Sequence, residues 1–162
     1  MLKKSVEDAL NKQLNAELYS SYLYLSMSAY FEEIPMKGFA KWLRIQAEEE
    51  KAHGMKFYDY IIEAQGTVKL TKIDAPKTSW KSPLDAFEEV YAHEQKVTGM
   101  INNLMDLAVK EKDYATQNML QWFVKEQVEE EANASEIVAK IKMIGERIGH
   151  LFCLDHELGK RE

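Results

Sequence analysis

Glu50-Lys51-Ala52-His53 places a carboxylate and an imidazole one helical turn apart, so both project from the same face of a helix. That face is the apolar one. Glu17, Glu94, Gln127 and Glu130 interrupt the apolar stripes of three further segments. A carboxylate buried alone costs several kcal/mol or takes up a proton. Polar groups set into every seam of one bundle therefore need a shared partner. Bound metal is such a partner, and this many acidic ligands point to two ions. One imidazole among carboxylates favours a hard or borderline divalent ion, such as Fe or Mn, over a thiolate-loving one.

The stripes show where these residues sit. One segment reads Phe87, Val90, Glu94, Val97, Ile101, Leu104, Ala108 at helical steps, with Glu94 its only polar member. Another reads Leu120, Phe123, Gln127, Glu130, Ala134, Ile137, Ile141, Ile144. A third reads Phe39, Leu43, Gln46, Glu50, Phe57, Ile61, with His53 flanking Glu50. The first is more mixed: Leu10, Leu14, Glu17, Ser21, Tyr24, Ser28, Phe31. Each break lies toward the middle of its helix, so facing breaks can meet at one depth. One such acid could sit at a seam's edge beside a lysine or arginine. Four breaks at a common level are harder to explain that way, because basic partners are missing from the seams.

The elements that must position these residues are long helices. The periodicity predicts helices over about 5–32, 37–65, 83–110 and 114–144, and a short fifth over about 147–158. Ser5 is read as a cap of the first, Gly66 as the stop of the second, and Ser82-Pro83 as cap and first position of the third. Short turns join the first pair and the second pair, so each pair is an antiparallel hairpin. The middle connection, Thr67 to Lys81, has no helical period. A 28-residue helix is about 42 Å long, and about 16 extended residues reach about 50–58 Å. The middle segment can therefore run the length of the bundle. The expectation is an all-α, single-domain chain over residues 1–162: a four-helix bundle with one long crossover and a short fifth helix.

Composition narrows the function. The chain has 162 residues, 46% of them hydrophobic and 30% charged, with 7 Gly and 3 Pro, which suits one globular domain of long helices. A net charge of −6 argues against nucleic acid and is compatible with cations. The lone Cys153 leaves no internal disulfide and no CxxC metal site. The first residues carry no apolar signal region, and no apolar run is long enough to span a membrane. A cytoplasmic location is expected.

Four stretches together resemble the prokaryotic non-haem ferritins. They are residues 15–24 (NAELYSSYLY), 48–53 (EEEKAH), 91–94 (YAHE) and 120–131 (LQWFVKEQVEEE). The match has a separate motif in each of four helices and spans nearly the whole chain. The resemblance implies a ferroxidase and iron store, with subunits assembled into a hollow cage of twenty-four around a ferric mineral. It implies a first iron on Glu17, Glu50 and His53. Glu50 would bridge to a second iron held by Glu94 and Glu130, with Gln127 close by. Glu49, Glu126 and Glu129 match an additional iron site of some bacterial ferritins that shares Glu130. Read without the resemblance, those three acids are equally an ordinary solvated face.

Tyr24 matches a tyrosine near the di-iron centre and Trp122 an aromatic beside it, either of which could supply electrons. Packing roles account for both as well. His93 points about 100° from Glu94 around its helix and is not counted as a ligand. Bacterioferritins and rubrerythrins carry a second Glu-x-x-His where this chain has Gln127-Val-Glu-Glu130, so the second metal lacks an imidazole. Bacterioferritins ligate haem through a methionine where this chain has Lys51, so no haem is expected. The resemblance puts the fifth helix, with His150, Cys153 and His156, near fourfold axes.

The expected chemistry is oxidation of Fe²⁺ by O₂ or H₂O₂ at two sites per subunit, with ferric product stored in the cage. The rival is a non-storage di-iron peroxidase or oxygenase on the same bundle. The absence of CxxC cysteines and of a separate electron-donor segment favours storage.

Overall fold

The computed structural model describes residues 2–162. It contains five helices: α1 (Lys4–Glu33), α2 (Lys37–Glu63), α3 (Pro83–Lys110), α4 (Tyr114–Ile144) and α5 (Ile148–Leu158). No strand occurs among the described residues. None of their helices is both long and apolar enough to cross a membrane.

Local chemistry sets most boundaries. Ser82 caps α3, its Oγ accepting from the Asp85 amide at 3.1 Å, and Pro83 opens the helix. Asp113 caps α4 in the same way, accepting from the Thr116 amide at 3.0 Å. Two expectations need correction. Ser5 is not the cap of α1: the helix starts at Lys4, and Lys3 at the cap makes no side-chain cap bond. α2 ends at Glu63 rather than running to Gly66. Gln65 takes the left-handed conformation (φ 59°). The Gly66 amide donates to the Ile61 carbonyl and the Gln65 amide to that of Ile62, the paired closure of a Schellman motif. Lys112 (φ 54°) ends α3 identically, with Asp113 bonded to Ala108.

α1 packs on α2 along its length, and α3 on α4. The crossover between the hairpins runs along α1. Asn11 holds its start by donating to the Thr67 carbonyl (2.9 Å) and accepting from the Lys69 amide (2.6 Å). Ser26 holds its far part through the Lys77 carbonyl (2.7 Å). Between Asn11 and Ser26 a helix rises about 22 Å. Lys69 to Lys77 can span about 26–29 Å when extended, so the crossover is nearly taut.

The core is divided. One apolar cluster, around Phe31, Phe39, Phe87 and Ile137, fills the end nearest α5. A second, around Leu10, Phe57, Ile101 and Leu120, fills the opposite end. α5 seats Leu154 and Leu158 on the first cluster. Asp155 accepts from the Phe39 amide at 3.0 Å. A Cβ at Gly38 would overlap the Asp155 carbonyl, so the close approach of α5 requires glycine there. Between the two apolar clusters lies a polar layer.

Candidate metal centre

The layer consists of Glu17 on α1, Glu50 and His53 on α2, Glu94 on α3, and Gln127 and Glu130 on α4, all buried. The stripes expected from the sequence are the buried faces: every stripe residue of α3, and of α2 including His53, is buried. In α1 the register differs by one position, since Ser20 is buried and Ser21 only half-buried. Ser21 donates to the Ala47 carbonyl of α2 instead (2.6 Å).

The ligand-capable atoms fall into overlapping groups, each within 4.8 Å: Glu17 with Glu50 and His53, Glu50 with Glu94 and Glu130, and His53 with Glu126 and Glu130. Glu50 belongs to the first two and so lies between them. His53 Nδ1 is 3.5 Å from Glu50 Oε2. Among the described residues, no lysine or arginine pairs with Glu17, Glu50, Glu94 or Glu130. Neutral donors hold them. Gln13 donates to Glu17 at 2.8 Å. Gln46 donates to Glu130 at 2.6 Å and to Glu50 at 3.3 Å. Gln127 donates to Glu94 at 3.2 Å, and Tyr24 donates to the other Glu94 oxygen. No buried side-chain polar atom among the described residues lacks a partner.

Crowding acids without cations has an electrostatic consequence. Burial, and then the Glu50 charge, raises Glu17 well above the usual carboxylate range. Burial, and then the charges of Glu94 and Glu130, does the same to Glu50. Glu94 is raised by burial, against the lowering bonds of Tyr24 and Gln127. Burial and the Glu94 charge lift Glu130 to about 7. Such acids favour the protonated form when no cation is near and become full carboxylates beside a divalent ion. A donor set of four carboxylates and one imidazole therefore fits two hard or borderline divalent cations.

The outer acids are arranged differently. Glu126 Oε1 approaches His53 Nε2 at 3.7 Å. Glu49 is turned to Arg161. Glu129 is exposed and lines an open cleft of about 420 Å³ together with Glu49. The three acids do not share one ligand group with Glu130. The Trp122 ring lies 5.3 Å from that of His53, and the Lys56 ammonium lies 4.3 Å from the Trp122 ring centroid. His150, Cys153 and His156 are exposed on α5 and form no ligand group among the described residues.

Sequence reasoning missed several supporting residues. Gln46 stood in the α2 stripe without a role, and Gln13 precedes Glu17 by one helical turn, a usable signal. The placement of His93, half-buried between α1 and α3, was not foreseen. Its Nε2 lies 2.7 Å from Ser20 Oγ, its ring meets Tyr24 edge-on at 5.7 Å, and burial lowers it to about 4. The role of Arg161 had no local signal.

Comparison with known proteins agrees with this geometry. The ferritin family, described as a ferritin-like domain, matches residues 7–144. A bacterial non-heme ferritin of Bacteroides fragilis (strain 638R) is 47% identical over 99% of this chain and 100% of its own. One from Campylobacter jejuni is 44% identical over 96% and 93%. Among solved structures, an open pore ferritin from the hyperthermophilic archaeon Archaeoglobus fulgidus is 51% identical. It superposes with a TM-score of 0.99 over 100% of this chain and 99% of that one.

Proposed function

The chain belongs to the ferritin family, and on that footing we propose that it oxidises Fe²⁺ and stores the ferric product inside a homo-oligomeric cage. The observation that carries the reading is Glu50 standing between two buried ligand groups that contain no lysine or arginine. Fe²⁺ is the substrate. One ion is taken by Glu17, Glu50 and His53, the other by Glu50, Glu94 and Glu130 with Gln127 at its side. The two sites differ because only the first has an imidazole, so the second holds its ion more loosely and releases product more readily.

Two Fe²⁺ give up two electrons, and O₂ with two protons takes them up as H₂O₂; H₂O₂ itself can serve as the oxidant, yielding water. The chain's own residues do the positioning. Raised carboxylates surrender protons as cations arrive, and Gln13, Gln46 and Gln127 keep their oxygens aimed into the layer. Tyr24 holds Glu94 and stands ready as an electron donor. The cage is assigned as twenty-four subunits in the cytoplasm.

Aerobic loading with Fe²⁺ tests the reading. The expected result is rapid oxidation, followed by iron that co-elutes with a large particle far beyond two ions per subunit. A monomer that never exceeds stoichiometric iron would refute storage.

A further inference from the structure

We propose that Arg161 is a positioning residue of this centre: it fixes the Gln46 amide that holds Glu50 and Glu130, and it occupies Glu49 as a built-in cation. The proposal rests on the metal-centre reading above. Arg161 lies in the segment after α5, far in sequence from every residue its guanidinium bonds. Its Nη1 donates to Gln46 Oε1 at 2.9 Å and to the Trp42 carbonyl at 3.3 Å. Its Nη2 donates to Glu49. Its guanidinium carbon sits 4.5 Å over the Trp42 ring. The side chain is only 21% exposed, and a planar fork held on three sides and stacked on an aromatic is not a mobile surface group.

Two consequences follow from this contact. A glutamine amide can present either end to its neighbours, but a guanidinium has donors only. Gln46 must therefore turn its oxygen to Arg161, which leaves its nitrogen for Glu130 and Glu50. Without Arg161 the amide could flip and set its oxygen against two carboxylates. Glu49, meanwhile, already has a positive partner. A cation that uses Glu49 must displace the guanidinium, so Arg161 weakens any additional metal beside the pair. The open cleft bordered by Glu49, Glu129 and Arg161 is where that exchange would occur.

Titration of the assembled, metal-free protein with Zn²⁺, followed by calorimetry, tests the proposal without redox chemistry. The wild-type protein should bind two ions tightly per subunit and a further one weakly. Arg161→Gln should tighten the further ion by about tenfold, about 1.4 kcal/mol, while loosening one of the tight ions by a few-fold. Arg161→Lys, which keeps the charge but loses the fork and the Trp42 stack, should tighten the further ion by less than Arg161→Gln does. Adding Glu49→Gln to Arg161→Gln should cancel the gain. An unchanged isotherm in Arg161→Gln would overturn the proposal, as would weakening at all sites with no tighter further ion, the mark of a purely structural arginine. Absence of tight Zn²⁺ in every variant would overturn the metal centre itself, and this proposal with it.

Discussion

The four inner glutamates and the three outer ones have the same chemistry, and Glu49 adjoins Glu50 as Glu129 adjoins Glu130, yet the fold treats them differently. Glu17, Glu50, Glu94 and Glu130 are at most 5% exposed, crowd one another, and have amide, phenol and imidazole partners but no lysine or arginine. Glu49 and Glu126 keep 42% and 27% of their side chains in solvent, and Glu49 has an arginine. The inner set was placed where its charge is costly, so it needs something the chain itself does not supply. The outer set is already satisfied by water and Arg161. Buried acids without cations are therefore a better guide to a metal centre than the number of acids.

The largest test of that contrast is the stability of the metal-free protein against pH. Inner acids hold protons more firmly folded than unfolded. The stability they contribute is complete below about pH 4.5 and is lost as pH rises through their folded values. For Glu130, moving from 4.5 to about 7, the loss is about 3 kcal/mol. His93 works in the opposite sense. Its folded value of about 4 lies below the ordinary 6.5, so its contribution is present above about pH 6.5 and lost as pH falls toward 4. Above about pH 6.5 the decline from the inner acids is thus unopposed. Urea unfolding with a chelator present should show midpoints that fall as pH rises above about 6.5, through the folded values of the inner acids. A divalent ion at a thousand times its Kd should restore about 4 kcal/mol. Glu50→Gln should flatten the slope; a slope unchanged by it would mean the inner acids are not the cause.

Next in size is the rate of Fe²⁺ oxidation. Glu50→Ala or His53→Ala should lower the initial rate by about a hundredfold or more, beyond the range of about 10–100-fold usual for groups that only support a ligand. Stopped-flow absorbance with helicity checked by circular dichroism measures it. A wild-type rate in both variants would remove these residues from the centre.

Tyr24→Phe is the intermediate case, because it deletes a donor to Glu94 and no ligand. The loss of one charge-assisted bond is worth about 1.5–3 kcal/mol at most, so the initial rate should fall by roughly tenfold and recovery between turnovers by more. A collapse as deep as that of His53→Ala would put the phenol among the ligands.

The smallest effect belongs to the outer set. Glu129→Ala should change metal-free stability by no more than about 0.5 kcal/mol and leave the first rapid oxidation intact. Glu126→Ala combined with Glu129→Ala should remove a third, weaker Fe²⁺ in anaerobic titration and leave the two tight ones. Equal stoichiometry in wild type and double variant would make these acids a solvated face.

Much of this was legible along the chain. All seven residues of the α3 stripe are buried, with Ala86 beside them, since a helix with a single partner face has one way to hide positions at apolar spacing. Ser82-Pro83 announced the start of α3 because capping is local. The end of α2 was misplaced because glycine is the usual left-handed residue, while here Gln65 takes that conformation and Gly66 follows it. Ser20 and Ser21 exchanged roles because small hydroxyls carry no hydrophobic signal to set the register. His93 belongs to none of the candidate ligand groups, and its packing against Ser20 and Tyr24 depends on how α1 meets α3.

Taken alone, the sequence determined the five helices, the long crossover and the six polar residues facing inward, because periodicity and connection length are properties of neighbouring residues. Tertiary structure decided which groups converge: that Glu50 stands between two ligand groups, that Gln46 reaches across to Glu130, that Glu126 turns to His53, and that Arg161 returns to Glu49. Those contacts join residues dozens of positions apart, up to 112 between Glu49 and Arg161. Helix packing angles and side-chain rotamers set them, and no local pattern encodes either.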